Sequence, residues 1–205
     1  TEEIFRLIEI ASQMGVSKIR FTGGEPLLRK DLSELVQFAN QCEGIESAHL
    51  TTNGLLLSKQ IDNLEKSGLS GINISLDTLN PEKFKIITRR NGLDLVLNSL
   101  YKAIESTIES IKLNIVALRG FNDDELMDFV DLTKENDITV RFIELMPFDS
   151  HQIWKTGKFY GADHIVADIK NQIDELNPIG GSRTEHHIFR VNDYKGKVAV
   201  IPAYS

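Results

Sequence analysis

Lys18–Asp31, KIRFTGGEPLLRKD, is the stretch whose reading decides the fold. Alternating polar and apolar residues run into Thr22. Two glycines, an acid and a proline follow, and Asp31 then opens a helical pattern. The pattern predicts a strand that ends in a tight turn with a bare backbone. Gly23 and Gly24 are able to take positive φ and to let a ligand approach the main chain. Pro26 fixes the exit and removes one donor, and Glu25 is left facing whatever lies at the strand's end. Glycine and proline mark turns in any βα connection, so the functional weight of this turn comes from the rest of the chain.

On either side the same rhythm repeats. Residues 1–14 carry Ile4, Leu7, Ile8 and Ala11 on one helical stripe, stopped at Gly15. Asp31 with Glu34 three residues on reads as a capping box. Strands are expected over 16–22, 45–52, 71–76, 110–118 and 138–145. Helices are expected from Asp31, Ser58, Asn80-Pro81, Leu93 and Asn122, the last with Glu125 as a second capping box. Alternating β and α with short connections call for a parallel sheet with right-handed crossovers. Unbroken repetition favours a barrel or partial barrel over an open doubly wound sheet. The rhythm changes after Pro147. A loop over 148–161 carries Trp154, residues 162–176 read as a helix, Gly180-Gly181 as a turn, and 186–191 with 197–202 as a hairpin. The expected division is therefore a barrel core over 1–147 and an extension over 148–205.

Strand parity gives the strongest inference. Successive strand residues face opposite ways, so Ile19, Phe21, Leu50, Ile72, Ile74, Leu113, Ile115, Val140 and Phe142 belong to the side covered by helices. Lys18, Arg20, His49, Thr51, Asn73, Ser75, Asp77, Lys112, Asn114 and Arg141 share the other. A sealed barrel fills that side with branched apolar residues. Unpartnered charges there cost several kcal/mol each, so a polar ligand is expected. Arg20, Lys112 and Arg141 suit phosphate or carboxylate groups. The alternative is a set of internal salt bridges between these cations and Asp77, Glu25 and Glu144.

Composition narrows the function. The 205-residue chain has 41% hydrophobic residues and a formal charge of −7, which argues against nonspecific nucleic-acid binding. No apolar run approaches the roughly 20 residues that span a bilayer, and no signal or transit segment is read at the start. The one cysteine, Cys42, excludes a disulfide framework and a cysteine-only metal or iron–sulfur site within this chain; it reads as a structural thiol. His186 and His187 are adjacent in a strand and point to opposite faces, which argues against a joint metal site. Asp123, Asp124 and Glu125 suit a first helical turn. No metal ligands and no catalytic acid or base are assigned, and no P-loop or Ser-His-Asp set is found.

Read in order, KIRFTGGEPLLRKDL, LTTNG, NISLDTL, ITRRNG, IKLNIVALRGFNDDE and RFIELMP closely resemble the molybdenum cofactor biosynthesis protein A family of radical S-adenosylmethionine (SAM) GTP 3',8-cyclases. The likeness runs from Thr1 to about Pro147 and weakly on to Ser205. The Gly-Gly-Glu-Pro turn alone would indicate only a radical SAM enzyme; the Lys112, Arg119-Gly-x-Asn-Asp and Arg141-Phe-Ile-Glu segments make the likeness specific. It implies an α/β fold, an incomplete (β/α) TIM-type barrel with a C-terminal helix and hairpin extension. It implies SAM contacts at Gly23, Gly24, Glu25, Pro26, Ser75 and Met146, and GTP contacts at Arg20, Thr51, Lys112 and Arg141. The implied activity is conversion of GTP to (8S)-3',8-cyclo-7,8-dihydroguanosine 5'-triphosphate, the first step of molybdopterin synthesis, by a radical that takes the C3' hydrogen before C3' bonds to C8. The implied cofactors are SAM and two 4Fe-4S clusters. Their N-terminal Cys-x3-Cys-x2-Cys and three C-terminal cysteines are not in this sequence, so the chain reads as an internal stretch of the enzyme, inactive alone. The resemblance further allows a homodimer and names cyclic pyranopterin monophosphate synthase as pathway partner. It implies the cytoplasm for a bacterial source and the mitochondrial matrix for a eukaryotic one. Rival readings are a cluster-free SAM- or nucleotide-binding barrel, a radical SAM enzyme acting on a peptide, and a phosphate-binding barrel lyase.

Overall fold

The computed structural model describes residues 1–146, 157–173, 175–182 and 186–203. Pro147, Trp154 and most of the expected 148–161 loop lie outside them. The described chain is α/β, with helices α1 (Glu2–Gln13), α2 (Leu32–Gln41), α3 (Ile61–Lys66), α4 (Pro81–Thr88), α5 (Leu93–Glu105), α6 (Leu126–Glu135) and α7 (Ala162–Lys170). Its strands are β1 (Lys18–Phe21), β2 (Ser47–Thr52), β3 (Gly71–Ser75), β4 (Ser110–Ala117), β5 (Thr139–Glu144), β6 (Leu176–Ser182), β7 (His186–Val191) and β8 (Lys197–Ile201). The hydrogen-bonded order is β1-β2-β3-β4-β5-β8-β7-β6, a ladder with two free ends and not a closed one. β1–β2, β2–β3 and β5–β8 pair parallel, whereas β8–β7 and β7–β6 pair antiparallel. Among the described residues no helix is long and apolar enough to cross a membrane.

Contacts divide the chain into two compact units. One holds Thr1–Ser75 and Asp94–Lys112, the other Leu76–Leu93 and Leu113–Ser205. This grouping differs from the sequence-based division near residue 147, because β8 pairs directly with β5 and draws the later residues in with it. In the first unit, Leu35, Val36 and Ala39 of α2 are buried, as are Ala48 and Leu50 of β2, Ile72 and Ile74 of β3, and Val96 and Leu100 of α5. Asn53-Gly54 turns against this layer. Gly54 sits at φ +80°, and an added Cβ would lie 3.0 Å from Val96 and 3.2 Å from Ile74, so only glycine fits both the backbone and the space. In the second unit Phe129 of α6 meets Phe142 of β5 edge to face at 6.2 Å, over a core that includes Val140, Ile165, Ile169 and Val198.

Several local expectations are corrected. Residues 162–176 do not form one helix: α7 stops at Lys170, and Leu176 is already paired with Val191. Gly180-Gly181 is not a turn. Both glycines lie in β6, next to a register shift between Pro178 and Gly180, the irregularity that glycine accommodates in a strand. The 58–67 helix is split into a 3-10 turn, Leu57–Lys59, and α3. Neither expected capping box forms. Asp31 binds the Arg29 guanidinium at 2.7 Å and the Thr1 hydroxyl rather than the α2 amides. Asn122 accepts the Leu118 amide at 2.7 Å and donates to the Asp77 and Val116 carbonyls, while the Glu125 carboxylate accepts the Thr78 hydroxyl and the Leu79 amide. These side chains tie separate segments together instead of closing their own helix. Asn80 does cap α4, accepting from the Glu82 and Lys83 amides.

The β7–β8 connection is pressed against the chain entering β5. The Gly196 amide donates to the Thr133 carbonyl at 2.9 Å. A Cβ on Gly196 would lie 2.4 Å from the Ile138 carbonyl oxygen and 2.6 Å from that of Asn136. Both are backbone atoms that cannot rotate away, so Gly196→Ala is expected to destabilise the protein by about 2 kcal/mol or more. The urea midpoint measures this; an unchanged midpoint would show that the connection yields without strain.

Candidate ligand-binding site

The Gly23–Pro26 turn is built as the sequence predicts at its glycines, and differently at its acid. Gly23 and Gly24 are exposed beyond the end of β1. Gly23 takes φ +142°, and an added Cβ on either glycine meets nothing within 4 Å. The backbone is therefore bare and approachable, which fits a ligand held by main-chain groups. Pro26 starts a single 3-10 turn, Pro26–Leu28, at the position where its missing N–H costs nothing. Glu25, expected to face a ligand, turns back into the protein. One carboxylate oxygen accepts the Leu27 amide at 3.1 Å and the Thr52 hydroxyl at 2.7 Å, and the other accepts the Asn53 amide at 2.9 Å. Thr52 in turn accepts the Gly54 amide at 3.1 Å. The acid thus clamps the glycine turn after β1 to the end of β2. Thr52, which sequence reasoning did not single out, is the buried middle of this clamp; its parity, opposite to that of Thr51, carried the signal.

Below the turn the polar side of the first unit is arranged in rows. The parallel registers align Arg20 with His49, His49 with Gly71, and Thr51 with Asn73, so register partners share a face. Arg20 donates to Thr51 Oγ1 at 3.4 Å, and burial pushes its guanidinium below its ordinary value. Lys112 is half-buried on β4 in the same unit. Lys18, Arg20 and Lys112 all act on the buried His49, whose imidazole is held down to about 4, first by burial and then by these three cations. His49 is therefore neutral near pH 7. Parity placed it on this side, but its burial follows from the missing side chain at Gly71, which no single-strand pattern displays. Ser75 ends β3 exposed.

Arg141 and Met146 belong to the second unit. Arg141 is half-buried on β5, and Met146 is exposed just beyond it. The three acids of the salt-bridge alternative bind neutral groups. Glu25 is in the clamp. Asp77, its carboxyl raised by burial, accepts the Val116 amide at 2.8 Å. Glu144 lies on the buried side of β5 with Val140 and Phe142 and accepts the Ala162 and Ala203 amides. Arg119 stacks 4.7 Å from the centre of the Tyr160 ring, and the Tyr160 hydroxyl donates to Asp168 at 2.5 Å. Among the described residues no group of three His, Cys, Asp or Glu is placed to hold a metal, and Cys42 is a free thiol raised by burial.

The clamp yields a direct expectation. Glu25→Gln replaces the oxygen that accepts the Asn53 amide with a donor, leaving two donors face to face. It is expected to lower unfolding free energy by about 1–3 kcal/mol, read from denaturant titration. Full stability in that variant would remove the clamp from the account of the turn.

Comparison with known proteins adds to this geometry. The family model for the radical SAM superfamily matches residues 1–133. The chain is 48% identical over 203 residues to a GTP 3',8-cyclase of Chlorobaculum tepidum, covering 99% of the chain and 62% of that protein. It is 39% identical to molybdenum cofactor biosynthesis protein 1 of Homo sapiens, covering 100% of the chain and 32% of that protein. The chain thus spans less than two thirds of these relatives. Among solved structures, Streptococcus suis SuiB bound to S-adenosylmethionine superposes with a TM-score of 0.60 at 18% identity, covering 83% of the chain and 40% of SuiB. TYW1 with a lysine-pyruvate adduct bound superposes with a TM-score of 0.59 at 19% identity, covering 88% of the chain and 63% of TYW1. At these identities the likeness concerns the fold, which suits an incomplete (β/α) barrel.

Proposed function

The chain belongs to the radical SAM superfamily, and from that premise we propose that it is the barrel core of a GTP 3',8-cyclase acting at the first step of molybdenum cofactor synthesis. The observation that carries the reading is the convergence of Lys18, Arg20 and Lys112 on one neutral, buried histidine, in a chain of formal charge −7. Such local concentration of cations against the global charge suits a polyanion such as a nucleoside triphosphate. The names of the relatives that match nearly the whole chain support GTP.

In this reading Gly23 and Gly24 present open backbone to SAM, and Pro26 with the Glu25 clamp holds that backbone in place. Ser75 and Met146 are further SAM contacts, while Arg20, Thr51, Lys112 and Arg141 hold GTP. SAM together with a reduced iron–sulfur cluster supplies the radical chemistry. The residues of this chain bind and orient, and none is assigned a proton transfer. A 4Fe-4S cluster of this kind needs several thiolates, and the sequence has one cysteine. The ligands of both proposed clusters therefore come from outside these 205 residues. The product is proposed to pass to cyclic pyranopterin monophosphate synthase, in the cytoplasm of a bacterium or the mitochondrial matrix of a eukaryote.

Lys112→Ala in the cluster-bearing enzyme is expected to weaken GTP binding about tenfold or more, as loss of a charge-assisted contact would, with SAM affinity unchanged. Calorimetry measures both, and an unaltered GTP affinity would remove Lys112 from the substrate site. The 205-residue chain alone is expected to leave SAM intact after iron–sulfur reconstitution, with 5'-deoxyadenosine as the readout; its formation would contradict the external origin of the thiolates.

A further inference from the structure

His49 and Asn73 are the buried side chains of the first unit's polar face that the proposed binding roles leave unused, and of the two only His49 titrates. Its relative exposure is 7%. Its row partners are Arg20 on β1 and Gly71 on β3. The imidazole occupies the space where a β3 side chain would stand: a Cβ on Gly71 would lie 2.5 Å from Nδ1 and 3.0 Å from Cε1, with the Ser110 Cβ also at 3.0 Å. The ring therefore fills the space beside Gly71 on β3, next to Ser110 at the start of β4. Around it, β1 contributes Lys18 and Arg20 and β4 contributes Lys112. β3 offers Gly71 and Asn73, neither of which titrates. No carboxylate is among the groups that act on the ring.

We propose that His49 is a proton-linked contact of the anion site: it stays neutral while the site is free and takes up a proton when a polyanion binds. The physical cause is the balance of charge. Three cations and burial disfavour a fourth positive charge in the free protein. A bound polyphosphate cancels the three and adds attraction for the imidazolium. Protons taken up on binding make affinity rise as pH falls through the bound-state value of the ring. The inference rests on an anion at this face, which the proposed function also requires, but it needs only the phosphates and not the guanosine.

The test therefore uses two probes, inorganic tripolyphosphate and GTP, each titrated calorimetrically into wild type and His49→Gln at pH 7.5 and pH 5. Taking the ratio of the two proteins' affinities removes the probes' own titration. If binding raises the ring by about two units, the ratio of wild-type to variant affinity grows roughly tenfold between the two pH values. Equal ratios at both pH values, or no binding of tripolyphosphate to wild type, would overturn the inference. A proton-linked response to tripolyphosphate without GTP binding would uphold it and remove GTP from the proposed function. GTP binding with a flat ratio would do the reverse. Should His49→Gln not fold, the imidazole titrations of wild type decide, followed by NMR. The lowest-titrating ring is expected to move up by at least one unit with saturating tripolyphosphate, and a ring that does not move would overturn the inference.

Discussion

Everything at the open end of the first unit depends on one carboxylate. Glu25 accepts from the amide of its own turn, from a buried hydroxyl on β2 and from the amide that follows β2. A glycine pair with nothing packed against it has high conformational entropy, and left alone it would sample many shapes. The clamp fixes one shape from beneath and leaves the upper surface bare. That division of labour accounts for an acid inside a turn whose outer backbone is uncovered. The charge is directed at the protein, and the glycine backbone above it is left uncovered.

The rows beneath the turn show a second constraint, set by parallel register. Because aligned residues share a face, the choice at Gly71 determines what His49 can do, and His49 in turn sits among Lys18, Arg20 and Lys112. A side chain at Gly71 would expel the imidazole. A charged imidazole would add to the repulsion of three cations. A neutral ring over a glycine satisfies both limits.

Much of this was legible from the chain alone. Strand parity separated Arg20, Thr51, Lys112 and Arg141 from Leu50, Ile72, Leu113 and Phe142, and burial alternates with that separation in β4 and β5, whereas β2 and β3 also bury His49 and Asn73 on the polar side. The alternation of strands and helices was readable because glycine, proline or asparagine follows β1, β2, β4 and β5 within three residues. What could not be read were the long-range uses of polar side chains. Asp31, Asn122 and Glu125 have capping-box spacing, yet each takes a partner from another segment, and local spacing cannot rank a helix amide against a distant hydroxyl. Gly180-Gly181 reads as a turn by composition and becomes a strand because β7 supplies pairing partners. Tertiary pairing overrode local preference there.

The order of strands also bears on how the chain acquires its shape. β5 is paired with β8, and their aligned residues, such as Thr139 and Lys197, stand 58 positions apart. At about 5–20 residues per second on the ribosome, that edge of β5 waits roughly 3–12 s for its partner to be made. During this interval Val140 and Phe142 lie on a strand with unsatisfied backbone groups along one side. The second unit is thus the part of these 205 residues whose assembly is most exposed to mispairing, because β5 is made 58 positions ahead of the strand that covers its edge.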